Sequence, residues 1–280
     1  MIEVIQQKLD AMAESLELTD SRIGNFLIYK NDNVISHSIR LFGEYCHAEV
    51  EIISKYLNED SSYLDIGTNI GYHAVAVYKK TSCNVIGFEP NPKHFALASY
   101  NAKDFNKIQL INAAASDMHT TFKMKDFDET TKGNYGDLHK SDTGQIEVQA
   151  ITVDELALNR CTLMKIDVEG HEYETLQGAS HLISRFRPII IYEAVEWDVW
   201  TKCYDFLDTR KYKQYWIACK TKPLAETYKP TEENPFATSM ISNILAVPIE
   251  KEQPDYLVPV VKYEGFVTCL DRYKKLKILF

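Results

Sequence analysis

Tyr63-Leu64-Asp65-Ile66-Gly67-Thr68-Asn69-Ile70-Gly71-Tyr72 runs from a short apolar segment through an Asp-x-Gly-x-Asn-x-Gly turn into a helical pattern. Glycines at 67 and 71 let the backbone bend sharply and approach a ligand that a Cβ would obstruct. The helix that follows offers unpaired N–H groups to a carboxylate or phosphate. A second apolar run, Asn84 to Phe88, ends at Glu89, 24 residues after Asp65. An acid at that place can accept both hydroxyls of a ribose.

Working outward, short apolar runs near 63–66, 84–88, 108–112, 162–166, 188–192, 212–218 and 241–247 alternate with helix-like stretches. The alternation predicts a doubly wound α/β fold, a Rossmann-like parallel sheet covered on both faces, with ligands at the carboxyl ends of the strands. Asn91-Pro92 supplies a helix N-cap and first-turn proline, and Thr152-x-x-Glu155 predicts a capping box. The rhythm breaks over 116–160, where strands at 120–124 and 145–151 flank a polar stretch, 125–144. A loop of that length reads as a lid or specificity loop, or as a mobile surface hairpin. Three segments result: 1–60, an N-terminal helix and arm covering the pocket; 61–249, the main domain with 116–160 as an inserted hairpin and loop; and 250–280, a C-terminal extension.

With 31 basic against 40 acidic residues, the net charge of −9 disfavours phosphate backbones, so nucleic acid is excluded as a partner. Cysteines 46, 83, 161, 203, 219 and 269 form no C-x-x-C pair and are expected reduced and buried. No apolar stretch reaches the roughly 20 residues a membrane span needs, which predicts a cytoplasmic protein without a membrane span. Ile2, Ile5, Leu9, Met12 and Leu16 follow helical spacing; that helix lies on the domain or pairs two copies in a homo-oligomer.

Acids crowd two further strand ends. Leu163 to Ile166 delivers Asp167, and Val168-Glu169-Gly170-His171-Glu172 is expected to open a helix whose Tyr173, Leu176, Ala179 and Leu182 share a face. Glu169 and Glu172 in a first helical turn also suit the helix dipole. The next strand ends at Glu193. Asp167 and Glu193 side by side can hold Mg²⁺, or one of them can act as a base. Tyr192, Trp197 and Trp200 offer either a stacking face for a sugar or ordinary core packing. His73 reads as a packing residue, and His94, His119, His139 and His181 as exposed.

DIGTNIGYHAVAV, then GFEPNP, then KIDVEGHEYETLQGA, with the earlier GEYCHAEVEII, by their order and spacing over about Leu41 to Pro248 closely resemble the FkbM family of S-adenosylmethionine-dependent methyltransferases. The resemblance implies a class I methyltransferase fold: seven strands, mostly parallel, with the last, Ile241 to Val247, antiparallel, plus the N-terminal helical or hairpin extension. It implies that Asp65, Gly67, Thr68, Asn69 and Gly71 surround the methionine moiety, with Asp167 facing it, that Glu89 holds the ribose, and that Ser116 and Asp117 lie near the adenine. His171 is the expected base, beside Asp167 and Glu193. Tyr45 either covers the ligand or anchors the arm. The implied acceptor is a small-molecule or glycan hydroxyl, giving O-methylation of a carbohydrate or another small hydroxylated metabolite.

Other readings fit less well. A nicotinamide site would use G-x-G-x-x-G, and Asn69 and Tyr72 replace two of its glycines. A methyltransferase of DNA amino groups would carry Asn/Asp-Pro-Pro-aromatic where this chain has Asp167-Val168-Glu169-Gly170. The remaining alternative is a noncatalytic binding or scaffold protein that keeps the cofactor fold.

Overall fold

Runs such as Leu163 to Ile166, apolar on both faces but for one lysine, have no solvent side, and they form the middle of the sheet. The computed structural model describes residues 2–194, 196–220, 228–229 and 240–260. It begins with α1 (Ile2–Ala11), a 3₁₀ turn (Ala13–Ser15) and an antiparallel hairpin of β1 (Leu16–Thr19) and β2 (Phe26–Tyr29). Then follow α2 (Ile35–Phe42), α3 (His47–Ser54), β3 (Ser62–Ile66), α4 (Tyr72–Thr81), β4 (Asn84–Phe88), α5 (Pro92–Ala102) and β5 (Ile108–Ile111). The insertion contributes β6 (Ala114–Ala115), β7 (Thr120–Met124) and β8 (Ile146–Ile151). The chain continues through β9 (Leu163–Ile166), α6 (Glu172–Gly178), α7 (Ser180–Phe186), β10 (Ile189–Glu193), α8 (Trp197–Thr209), β11 (Tyr212–Lys220), β12 (Met240–Pro248) and β13 (Val258–Pro259).

The main sheet has the order β5-β4-β3-β9-β10-β12-β11-β13. Strands β5, β4, β3, β9 and β10 run parallel, while β12 is antiparallel to both β10 and β11, as expected for the last of seven strands. The two-residue β13 adds an eighth, antiparallel edge to β11. One face packs on α3, α4 and α5 with Tyr63, Val85, Leu163 and Ile191; the other buries Leu64, Ile66, Met164 and Ile190 under α6 to α8. Strands β6, β8 and β7 make a separate small sheet above one end.

The arm is tied to the turn after β3 by Asn101 of α5, whose amide bonds both Leu27 backbone groups and donates to the Ile70 carbonyl at 3.0 Å. Helix α1 packs on α5, with Leu9 and Met12 buried and Ile2 exposed. Asn91 caps α5 as expected, accepting from Lys93 N and His94 N. Cys46, Cys83, Cys161 and Cys203 are free and buried; the Cys219 side chain and Cys269 lie outside the described residues, as does the whole segment after 260.

Several expectations are corrected. Thr152 makes no side-chain cap, and only a 3₁₀ turn, Val153–Glu155, follows it. The helix expected from Val168 starts at Glu172, because Glu169 (φ 52°) and Gly170 (φ 90°) adopt left-handed conformations. It also breaks at Ala179. Gly178 there abuts the insertion so closely that a Cβ would stand 1.8 Å from the Ser116 carbonyl oxygen. Of the aromatics, Tyr192 and Trp200 take the packing alternative, Tyr192 fully buried and Trp200 buried with its ring stacked 5.9 Å from Trp216, while Trp197 is half exposed beside Trp200.

Helix α3 is anchored by a buried carboxylate. Glu49 accepts from the Asn243 amide at 2.5 Å and lies 3.2 Å from His73 Nε2. Burial alone would raise its pKa, but the His73 imidazole, the Lys165 charge and the Asn243 amide outweigh burial and hold it at about 2.

Two predictions follow from these contacts. Gly178→Ala gains about 1 kcal/mol of helix propensity, yet the overlap with the Ser116 carbonyl costs about 1–3 kcal/mol, so urea melts should show net destabilisation. For Glu49, a depressed folded pKa gives stability that is present above the unfolded value of 4.5 and lost as pH falls toward about 2. Glu49→Gln should therefore cost up to about 3 kcal/mol at neutral pH, with the gap to wild type shrinking below pH 5. A gap that stays constant down to pH 3.5 contradicts this account.

Candidate functional site

The carboxyl ends of β3, β4, β9 and β10 open into a cavity of about 1730 Å³. Its floor is the turn after β3. Gly67 (φ 87°) passes so near the next strand end that a Cβ would lie 1.8 Å from the Asp167 carbonyl oxygen. The Thr68 hydroxyl donates to the Asp65 carbonyl at 2.7 Å, tightening the turn, and Asn69 takes a left-handed φ of 51°. Gly71 (φ 89°) precedes α4, whose first intrahelical bond runs from Val75 N to Gly71 O. The preceding N–H groups of the first turn are therefore free of the helix ladder.

Gly67, Thr68, Asn69, Glu89, Ser116, Asp117, Asp167, His171 and Glu193 all line the cavity. Asp65 and Gly71 lie behind the wall instead. Asp65 is fully buried, accepts from the Tyr63 hydroxyl at 2.9 Å, and faces Lys165 across the β3–β9 ladder. Burial raises its pKa against the pull of Lys165.

Glu89 closes the β4 side. One carboxylate oxygen accepts from Asn69 N and the other from Asn91 N, each at 2.8 Å. Opposite it, Ser116 at the end of β6 places its hydroxyl 3.0 Å from His171 Nε2 and 3.1 Å from Asp117. The second His171 nitrogen lies 3.7 Å from Glu174, and burial lowers the pKa of the ring. His171 thus belongs to the Ser116 wall. The acids it was expected to join gather elsewhere.

Those acids make a corner. The oxygens of Asp167, Glu169 and Glu193 lie within 4.8 Å of one another, and so do ligand atoms of Asp137, His139 and Glu169. The one ammonium among them, Lys165 Nζ, donates to Asp167 at 2.7 Å. Burial opposes the Lys165 charge, but Asp167, Glu49 and Asp65 prevail and raise its pKa. Burial, then Asp167 and Asp137, push Glu169 up to about 7. Burial, then Asp167, Glu169 and Glu172, lift Glu193 well above the usual carboxylate range.

The polar segment 125–144 forms the roof. Phe127 stacks on His94 (4.9 Å) and on Tyr135 (4.3 Å), and Tyr135 also packs edge-on against Tyr29 of the arm. Lys93 pairs with Asp126 and Glu129, and Asn33 N donates to the Gly133 carbonyl at 2.9 Å. Anchored so, the segment hangs Asn134 and residues 136–142 over the cavity.

Sequence reasoning missed Glu49, Lys165 and His139, all on the cavity wall; His73, expected to pack, is buried against Glu49 and also borders the cavity. His94, expected exposed, is 1% exposed under Phe127. A signal existed for Lys165, the single charge inside a buried strand; none existed for His139, which only the roof carries to Glu169. Tyr45 lines the cavity edge-on to His73, 6.0 Å between rings.

Comparison with known proteins gives likenesses to other methyltransferases, among them the following. Hexuronic acid methyltransferase AglP of Haloferax volcanii is 26% identical over 151 residues, 51% of this chain and 59% of that protein. The chain thus spans somewhat more than half the length of that relative. The crystal structure of methyltransferase FkbM from Methylobacillus flagellatus KT superposes with a TM-score of 0.45 at 15% identity, over 68% of this chain and 44% of that one. For the Pyrococcus abyssi tRNA (uracil-54, C5)-methyltransferase the values are 0.47 and 13%, over 83% and 44%. The family described as Methyltransferase FkbM domain matches residues 65–215, more than half of the sequence and every strand end that builds the cavity floor. The chain belongs to the FkbM methyltransferase family.

Proposed function

We propose that the chain transfers a methyl group from S-adenosylmethionine to a hydroxyl oxygen of a carbohydrate or another small hydroxylated metabolite. The observation that carries this reading is Glu89 beside the Gly67–Gly71 turn. Each of its oxygens is held by one backbone N–H. A carboxylate has about four acceptor sites, so two remain for a pair of ribose hydroxyls. The cavity of about 1730 Å³ exceeds the roughly 300–1,000 Å³ of common small-molecule sites, leaving space for a donor and an acceptor together.

When bound, the donor supplies an electrophilic methyl carbon on a positively charged sulfur. The chain's part is alignment and exclusion of water. Gly67, Thr68, Asn69 and the free N–H groups of α4 suit a methionine carboxylate. Asp167, held in place by Lys165, suits an ammonium. Asp65 acts from behind by helping to fix Lys165. Ser116 and Asp117 suit the adenine side. The acid-rich wall favours a cationic donor. The acceptor hydroxyl is expected beneath the roof, between the Ser116 wall and the corner of Asp167 and Glu193. On that wall His171, whose pKa burial lowers, is the group proposed to take its proton. The hexuronic acid in the relative's name favours a sugar as that acceptor.

Calorimetric titration with S-adenosylmethionine and S-adenosylhomocysteine, with NAD beside them, tests the donor. Binding of the two adenosyl ligands alone is expected, weakened at least ~10-fold by Glu89→Ala, in keeping with loss of charged hydrogen bonds. Unchanged affinity in that variant overturns the pocket reading. His171→Ala should leave donor affinity near normal and lower turnover by about 10²–10⁴-fold on a methylated acceptor. Lost affinity with retained turnover would make it a positioning residue of the Ser116 wall. Saturable donor binding without methylation of any sugar, glycoside or uronate in a broad panel would favour the noncatalytic alternative.

A further inference from the structure

Charge is divided unevenly around the main cavity. Glu89, Asp167, Glu169 and Glu193 stand about the ends of β4, β9 and β10, the side that suits a cationic donor. The lysines on the wall are Lys165, which Asp167 engages, and Lys123, Lys125 and Lys140, all three from the insertion. None of these three makes an ion pair among the described residues. Asp142 and Glu147 border the same edge, yet even Glu147, opposite Lys123 in the β7–β8 ladder, does not hold it in an ion pair. The insertion therefore presents uncommitted ammonium groups to the space in which an acceptor is expected.

Lys140 is exposed, but its backbone is fixed. Lys125 N donates to the His139 carbonyl at 3.2 Å and Ser141 N to the Lys123 carbonyl at 2.9 Å, so Lys140 is paired antiparallel with Met124 at the end of β7. Paired residues share a face, and Phe122, two positions along the strand, shares it too. Lys140 Nζ accordingly stands 5.2 Å from the centre of the Phe122 ring, and the His171 ring lies 5.8 Å from the same centre. An aromatic face steadies an ammonium without consuming its N–H donors. Burial lowers the His171 pKa against the pull of Glu174, and Lys140 lowers it further, so the ammonium acts within electrostatic reach of that ring. One sugar ring with its substituents can span the two groups.

We propose that Lys140 is an anion-recognition residue of the acceptor site, and that the acceptor is a carbohydrate carrying a carboxylate or a phosphate, held by this ammonium while a ring hydroxyl meets the Ser116 wall. A charge-assisted hydrogen bond from Lys140 fixes the sugar's anionic end. Lys123 and Lys125 add positive potential along the same edge. The division of charge then sorts two ligands in one cavity: the sulfonium donor goes to the acid-lined strand ends and the anionic acceptor to the insertion. The acceptor role rests on the methyl-transfer reading; anion binding at Lys140 does not.

Calorimetry on the full chain with S-adenosylhomocysteine present is the test, with methyl glucuronide and glucosyl phosphate as anionic probes and methyl glucoside as the neutral one. At least one anionic probe should bind ~10-fold or more tightly than the neutral sugar, with the gap narrowing as salt rises. Tighter binding of the glucuronide identifies a carboxylate as the anion, and tighter binding of the glucosyl phosphate a phosphate. Lys140→Gln should erase the preference and Lys140→Arg should keep it. Lys132→Gln, exposed on the same segment but away from the cavity, should leave it unchanged. A neutral sugar bound as well as either anion, or an anion preference that persists in Lys140→Gln, overturns the proposal. So does failure of both anions to bind while S-adenosylhomocysteine binds. Where S-adenosylhomocysteine itself does not bind, the methyl-transfer reading fails, and the effect of Lys140→Gln on the anion preference still decides the subsite.

Discussion

Lys165 is the charge on which the site depends. It is 2% exposed in the middle of β9, opposite Asp65 in the ladder and 2.7 Å from Asp167. A buried ammonium persists only where carboxylates surround it, and removing one member of such a group costs about 3–5 kcal/mol because the others are left uncompensated. Lys165 therefore explains why Asp65 and Glu49 sit behind and beside the wall while Asp167 stands at its edge. The floor is a neutralised layer. Beyond it the acids of the corner, Glu169, Glu172 and Glu193, have no such ammonium among the described residues, and burial, then the neighbouring carboxylates, raises their pKa values.

The arm and the roof depend on each other. Asn101 fixes β2 to the cofactor turn, and Tyr29 at the end of β2 gives Tyr135 and Phe127 a surface to pack on. Without the arm, the 20-residue polar loop would keep only its contacts to α5, through His94 and Lys93. With it, Asp137 and His139 face Glu169 across the opening. The segments that roof the cavity thus lie outside the regular sheet.

The alternation of strands and helices, the Asn91 cap and Glu89 at the end of β4 were legible from local pattern: apolar runs of strand length, a proline after a capping residue, an acid at a strand end; the antiparallel β12 was legible only through the family resemblance. The errors were also local in origin. Val168 to Glu172 has a helical composition, but Gly67 presses on the Asp167 carbonyl and the chain must reverse at Glu169 and Gly170 before a helix can start. Ala179 continues an apolar face, yet the approach of Gly178 to Ser116 divides the helix there.

By itself the sequence determined the fold class, the family and the strand ends that carry the acids, since periodicity and turn chemistry act over a few residues. Only the tertiary structure decided that Asp65 supports Lys165 rather than facing the cavity, that His171 bonds Ser116, and that His139 meets Glu169. Those outcomes depend on contacts between residues 30 to 100 positions apart, such as Asp65 with Lys165. Side-chain direction at such distances is set by which strands become neighbours and how closely their backbones approach, and no local pattern encodes that.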